Sequence, residues 1–434
     1  MLQMMRVYGL SLSFLFAAST ALGGAPHAGM GGGGTGNPGP TGDLSDNPAA
    51  AAAAADRDEG VLHVGGNWQS LVFSGRALNP VDSTVARYQD AEGLSWGIVT
   101  PELGLGRLGL GAWQVDRRVL EIEEDLPLAT PFSIGGAPIG ADHEKAWTNL
   151  SEDEGVWAVG AAWITALASG QHNVALGTAY MVERDRSKVE AFAVRRSDGG
   201  TEALRRLRIA RDLDGFAFLF GYLYRPMPEG SLGFSVMSIG ELAGPVLVQA
   251  DGEPLYRDEL VRPGKLIASV GGAVTILGNI TAAVDFRYSE DSVTTATLFK
   301  DTPVQVALLE KSEAVFSVSG GLEYRLHFHD KIFPLRIGFF TRPDSQPASR
   351  AGVGIPAVAA LVPVPFRQDV TGYTFGTGWE YSALRLDLAV VWMQVNTRTN
   401  VLSETGATVE SGDVRNGVGV VGSMSLIIGG LGFE

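Results

Sequence analysis

The chain has 434 residues, 45% hydrophobic and 19% charged, with 33 Lys plus Arg against 48 Asp plus Glu and a formal net charge of −15. That balance, with no basic stripe to offset it, excludes a nucleic-acid binder. The absence of cysteine excludes disulfides, thiolate metal sites and cysteine nucleophiles. The 57 glycines fall largely inside strand-like segments, in phase with apolar residues, which argues for β-structure over helix.

Residues 1–25 read as a signal peptide. Arg6 precedes an apolar run from Val7 to Leu22, and the small residues Gly23, Gly24 and Ala25 offer a cleavage site. The run is too short for a stable membrane span, so a retained anchor helix is the alternative rather than the expectation. Residues 26–59 read as a Gly-rich linker followed by an N-terminal hatch. Gly31 to Gly34, Gly36 and Pro38 to Pro40 cannot bury enough apolar surface to fold. Asn47-Pro48 then starts a helix that Ala49 to Ala55 would propagate, and Asp56, Arg57, Asp58 and Glu59 end it.

Residues 60–434 read as a transmembrane β-barrel. Period-2 segments run over 61–74, 93–100, 103–116, 155–168, 173–186, 214–225, 231–241, 264–276, 279–290, 312–326, 332–342, 370–381, 383–396 and 414–428, about fourteen strands. Phe216, Phe218, Phe220, Tyr222 and Tyr224 share one face. So do Leu384, Leu386, Leu388, Val390 and Trp392, with Arg385, Asp387 and Ala389 alternating behind them. A lipid-facing apolar row backed by a small or polar inner row is the signature of such a barrel. Connections after even-numbered strands are short, as at 169–172 and 277–278. Those after odd-numbered strands are long: 117–154, 187–213, 242–263, 291–311, 343–369 and 397–413. Short turns at one end and long loops at the other are what a membrane barrel carries, and a soluble sandwich has no reason to alternate so regularly. Closure requires the first strand to pair with the last, since an open edge in lipid leaves backbone groups unsatisfied.

The third strand breaks parity. Leu103 and Leu105 hold one phase, Leu108 and Leu110 the other, and a β-bulge at Gly106-Arg107 would absorb the slip. By parity Glu323, Arg325, Arg336, Glu380, Arg385 and Asp387 point into the lumen near the short-turn end, because lipid-facing charges would cost a few kcal/mol each near the midplane. They form either a salt-bridge ring that holds the barrel's shape or a dock for the acidic hatch. Among the six histidines, His327 and His329 read as a solvated turn. No metal site, cofactor site or nucleophile arrangement stands out, and the chain reads as a non-enzyme.

On these residues the chain resembles the FadL family of outer-membrane long-chain fatty acid and hydrocarbon transporters. The likeness lies in Ser45-Asp46-Asn47-Pro48-Ala49, similar to the family's Asn-Pro-Ala hatch motif, and in Pro263 to Leu266, Gly321 to Leu326 and Leu335 to Phe340. The resemblance implies a fourteen-stranded antiparallel barrel with a small N-terminal hatch (Asn47, Pro48, Ala49) inside the lumen. It further implies a kink at Gly106 and Arg107 that opens a lateral exit, and residence in the outer membrane of a Gram-negative bacterium. The expected activity is passive uptake of hydrophobic solutes such as fatty acids or hydrocarbons. Outer-membrane lipid, lipopolysaccharide and the barrel assembly machinery are the other expected partners. The alternative is a structural or adhesive barrel with a sealed lumen and partner-binding loops.

Overall fold

The computed structural model of the chain describes residues 30, 34, 35, 37, 44, 47–52, 59–70, 72–74, 84–89, 93–126, 133–134, 137–138, 143–167, 170–250, 252–298, 306–312, 314–345, 350–353, 366–402 and 408–428. The signal-peptide reading of residues 1–25 lies outside them. One short helix, α1 (Pro48–Ala52), precedes fourteen barrel strands. These are β1 (Gly60–Ser70), β2 (Gly93–Val99), β3 (Arg107–Leu126), β4 (His143–Leu167), β5 (His172–Arg195), β6 (Thr201–Met227) and β7 (Gly230–Ile239). The circle continues with β8 (Lys265–Ile276), β9 (Ile280–Ser289), β10 (Val315–Phe328), β11 (Lys331–Ser345), β12 (Phe366–Tyr381), β13 (Leu384–Leu402) and β14 (Thr408–Ile428).

Each strand pairs antiparallel with the next. The ring closes between β1 and β14, from Gly60 opposite Ile428 to Ser70 opposite Val418. Each of the fourteen periodic segments of the sequence overlaps one of these strands. The outward row is mostly apolar across the belt: Phe218 is 66% exposed on β6, Phe375 61% on β12 and Leu388 48% on β13. Their inward neighbours Ala217, Thr374 and Asp387 are buried. The inward rows of β4 and β5 are built on Ala158, Ala162, Ala175 and Ala179, small residues that share one apolar cluster with Ala49 to Ala51 of α1.

Two expectations change. The segments 117–154 and 187–213 are mostly strand rather than loop, because β3 to β6 run 20, 25, 24 and 27 residues. Their outward rows turn from apolar to charged beyond Val182 and Phe216, while the backbone ladder, which does not read side chains, carries on. The segment 242–263 likewise forms a hairpin, Leu242–Ala250 with Glu253–Arg262, whose first arm continues along β6.

The second change concerns β3. The ladder to β4 is regular from Arg107 to Gln114, and the register shift lies between Gln114 and Asp116 rather than at Gly106-Arg107. Leu103 to Gly106 belong to a turn. Gly104 takes a left-handed conformation (φ 68°) and the Leu103 N–H donates to Gly106 O at 2.6 Å. That turn absorbs the parity break, and Arg107 points inward, buried.

Candidate functional site

The described hatch residues lie inside the barrel, and the sequence explains how. Pro48 fixes φ at the first helical position, and Asn47 caps the helix: its Oδ1 accepts the Ala49 N–H at 3.1 Å. The amide nitrogen of Asn47 then donates to Thr35 O (2.8 Å) and to Tyr222 O on β6 (3.1 Å). One side chain thereby joins helix, upstream strap and wall. The Thr35 N–H donates in turn to Asp285 Oδ2 on β9 at 2.6 Å. Asn47, Thr35 and Asp285 are all buried, so each bond stands where water cannot replace it.

The wall is recessed to receive the hatch. A Cβ on Gly221 of β6 would stand 2.5 Å from Asn47 Oδ1 and 3.0 Å from Pro48 Cδ. On Gly109 of β3 it would stand 2.9 Å from Leu44 Cδ2, and on Gly321 of β10 2.7 Å from Met30 Cα. Asn47, Pro48 and Ala49 are therefore seated by Gly221, more than a hundred residues downstream. From Leu44 and Ala49 to Ala51 a contiguous apolar seam climbs the inward side of β3 to β6 through Ile164, Ala179, Leu219, Met181 and Leu213. It ends in Leu242, Val246 and Leu260 of the 242–262 hairpin.

The opposite wall is polar. Glu323, Arg325, Arg336, Glu380, Arg385 and Asp387, read from strand parity, come together as one ion network. Arg336 donates from Nε to Glu323 (2.7 Å) and from Nη1 to Asp387 (2.8 Å). Arg385 donates from Nε to Asp387 (2.7 Å) and lies 3.2 Å from Glu380, which also takes Arg325. The side chains of Arg336 and Asp387 have no solvent exposure. Two contacts, Glu323–Arg336 and Glu380–Arg385, are direct cross-strand pairs. Three carboxylates thus balance three guanidiniums within the ring. The acidic hatch residues Asp43, Asp46, Asp56 and Asp58 lie outside the described residues. The neighbouring rungs hold His63, whose Nδ1 lies 3.0 Å from Ser425 Oγ.

A second inward cluster escaped the sequence reading. Buried Glu183 and Asp185 on β5 pair with Arg262 of the hairpin and Arg211 of β6. Glu183 and Asp185 sat at the end of a segment read as strand, 173–186, but their partners Arg211 and Arg262 sat in segments read as loops, 187–213 and 242–263. Parity extended past the apolar belt would have found them. His327 is the penultimate residue of β10, and His329 occupies the following turn at φ 58°.

No protein-family model matches the sequence, and no curated protein matches it. Solved structures do. A deltaS2 mutant of the TodX monoaromatic hydrocarbon channel is 15% identical, with a TM-score of 0.55, covering 95% of this chain and 99% of that one. The toluene transporter TodX of Pseudomonas putida (14%, TM-score 0.52) and the toluene transporter TbuX of Ralstonia pickettii (13%, TM-score 0.52) each cover 94% of this chain and 99% of their own. A closed antiparallel barrel with a hatch in its lumen, matched over nearly the whole length, is the fold of the FadL-type hydrocarbon transporters, and this chain has it.

Proposed function

We propose that the chain is a channel of the Gram-negative outer membrane for passive uptake of hydrophobic solutes, with its short turns periplasmic and its long strands outside. The observation that carries this reading is the apolar seam that runs from the mouth hairpin to the hatch along one wall, flanked beside the hairpin by the Glu183–Arg262 and Asp185–Arg211 pairs. An apolar solute crossing a polar saccharide layer needs such a surface, and hydrophobic sites of this kind are largely pre-formed. The TodX and TbuX neighbours, toluene transporters by name, point to monoaromatic hydrocarbons alongside long-chain fatty acids as candidates.

The test is uptake of radiolabelled toluene and of a long-chain fatty acid into cells with and without the chain. Expression should raise the uptake of at least one severalfold. Leu260→Asn, a polar amide placed in the seam on the hairpin rather than in the barrel ladder, should reduce that gain while assembly is unchanged. Equal uptake with and without the chain would favour the sealed, structural barrel.

The exit route we propose is the start of β3, at Gly106 and Arg107. Supporting it, Leu103 and Leu105 are exposed on the turn, while Leu44 of the hatch lies on the lumen side of neighbouring Gly109. A Cβ on Gly106 would come 2.5 Å from Ile164 O, so Gly106→Val forces this turn away from β4. The ladder proper begins at Arg107. Folding, read by heat-modifiable gel mobility, should persist while uptake falls; unchanged uptake would place the exit elsewhere.

A further inference from the structure

Above the apolar belt, the outward face of β5 and β6 changes character within one rung. On β5 the outward row passes from Tyr180 and Val182 to Arg184, Arg186 and Lys188. On β6 it passes from Phe216 through Asp214 and Asp212 to Arg208 and Arg206. The outward rows of β12, β13 and β14 first leave the belt at Asp369, Gln394 and Asn416 instead. In a chain of net charge −15, five cations on one band are a local reversal.

The carboxylates on this band are Asp153 of β4, Glu190 and Asp212. Arg186 takes Asp212 at 2.6 Å, and Lys188 and Arg206 share Glu190 at 2.7 and 2.5 Å. Asp214, a rung lower, accepts the Tyr180 hydroxyl at 2.6 Å. Among the described residues neither Arg184 nor Arg208 has a carboxylate partner, and both are exposed. Lys188 stands directly opposite Arg208 in the ladder, a like-charge pairing that destabilises a sheet unless an anion bridges it.

We propose that this band is a docking surface for the phosphate groups of lipid A, the anionic glycolipid of the outer leaflet. The belt below, edged by Trp157, Tyr180 and Phe216, meets the acyl chains. The first polar rungs then stand at head-group level, where guanidinium forks match phosphate oxygens in pairs. The inference rests on the orientation given under the proposed function, with the long strands outside.

The test titrates the purified, folded full chain in detergent with diphosphoryl lipid A, dephosphorylated lipid A or phosphatidylglycerol, scoring bound lipid by native mass spectrometry. Diphosphoryl lipid A should bind best, and Arg184→Gln with Arg208→Gln should weaken it by roughly tenfold or more. Arg208→Lys alone should retain most of the affinity, and heat-modifiable mobility certifies each variant as folded. Equal binding of dephosphorylated lipid A or phosphatidylglycerol by the wild type would overturn the proposal, as would undiminished binding by the double glutamine variant. Solute uptake by cells expressing the same chain and variants separates the two readings. Lipid A selectivity without uptake sinks only the channel, and uptake without lipid A selectivity sinks only the docking surface.

Discussion

Replacing Arg336 by methionine should cost the barrel about 3–5 kcal/mol, the penalty of breaking a buried ion pair by removing one partner. Arg336 is the hinge of the lumen network, reaching Glu323 at 2.7 Å and Asp387 at 2.8 Å. Without it, Asp387 keeps Arg385 and Glu323 keeps only the longer contacts to Arg325 (3.8 Å) and Arg385 (4.0 Å). Asp387, Glu380 and Glu323 then share Arg385, in a site where Asp387 has no solvent exposure and Glu323 little. The measurement is the urea midpoint for unfolding from lipid vesicles, followed by tryptophan fluorescence. Adding Glu323→Gln and Asp387→Asn to Arg336→Met should recover most of the loss, because the desolvation cost of the orphaned charges goes with them. A single variant within about 0.5 kcal/mol of the wild type, the ordinary range for a surface substitution, would mean that the ring does not hold the barrel.

That ring was legible in the sequence because barrel parity is strict. Once Leu386 and Leu388 face lipid, Arg385 and Asp387 have only the lumen to go to, and the short Ser382 turn brings Glu380 alongside. The same logic yields the strand count and the closing pair, since both follow from outward rows that lipid enforces. Where lipid stops enforcing, the reading stops too. Beyond Arg186 and Asp214 the outward residues are Lys188, Asp212 and Arg208, and charged alternation in water looks like loop although the strands run on to Arg195 and start at Thr201. On β3 a bulge and a turn leave the same mark on a periodicity. Leu103/Leu105 and Leu108/Leu110 differ in phase either way, and only the backbone at Gly104 decides between them. The hatch seat was out of reach for another reason. Asn47-Pro48 announces a helix start, but nothing near it names Gly221, Tyr222 or Asp285 as the surfaces that receive it.

The seat can be removed without touching the hatch, and this is the second large effect expected. Gly221→Val places a branched side chain where Asn47 Oδ1 would lie 2.5 Å, Ala49 N 2.9 Å and Pro48 Cδ 3.0 Å from its Cβ. None of these can yield in isolation. Asn47 is held by Thr35 O and Tyr222 O, and Pro48 and Ala49 are rigid backbone of α1. The β6 wall at Gly221 is paired on both sides, with Ala175 of β5 and Ser235 of β7. The wall therefore holds and the hatch moves as a unit, taking Leu44 out of its recess against Gly109. In planar bilayers the wild type should conduct small ions poorly, and Gly221→Val should conduct severalfold better at unchanged heat-modifiable mobility. Asn47→Ala should give a smaller rise. It removes the cap and both amide donations, about 1 kcal/mol each, yet leaves Leu44 and the alanines seated in the apolar seam. A variant series in which Asn47→Ala opens the barrel fully while Gly221→Val leaves conductance at the wild-type level would reverse this account, making the polar tether rather than the shaped seat what keeps the lumen closed.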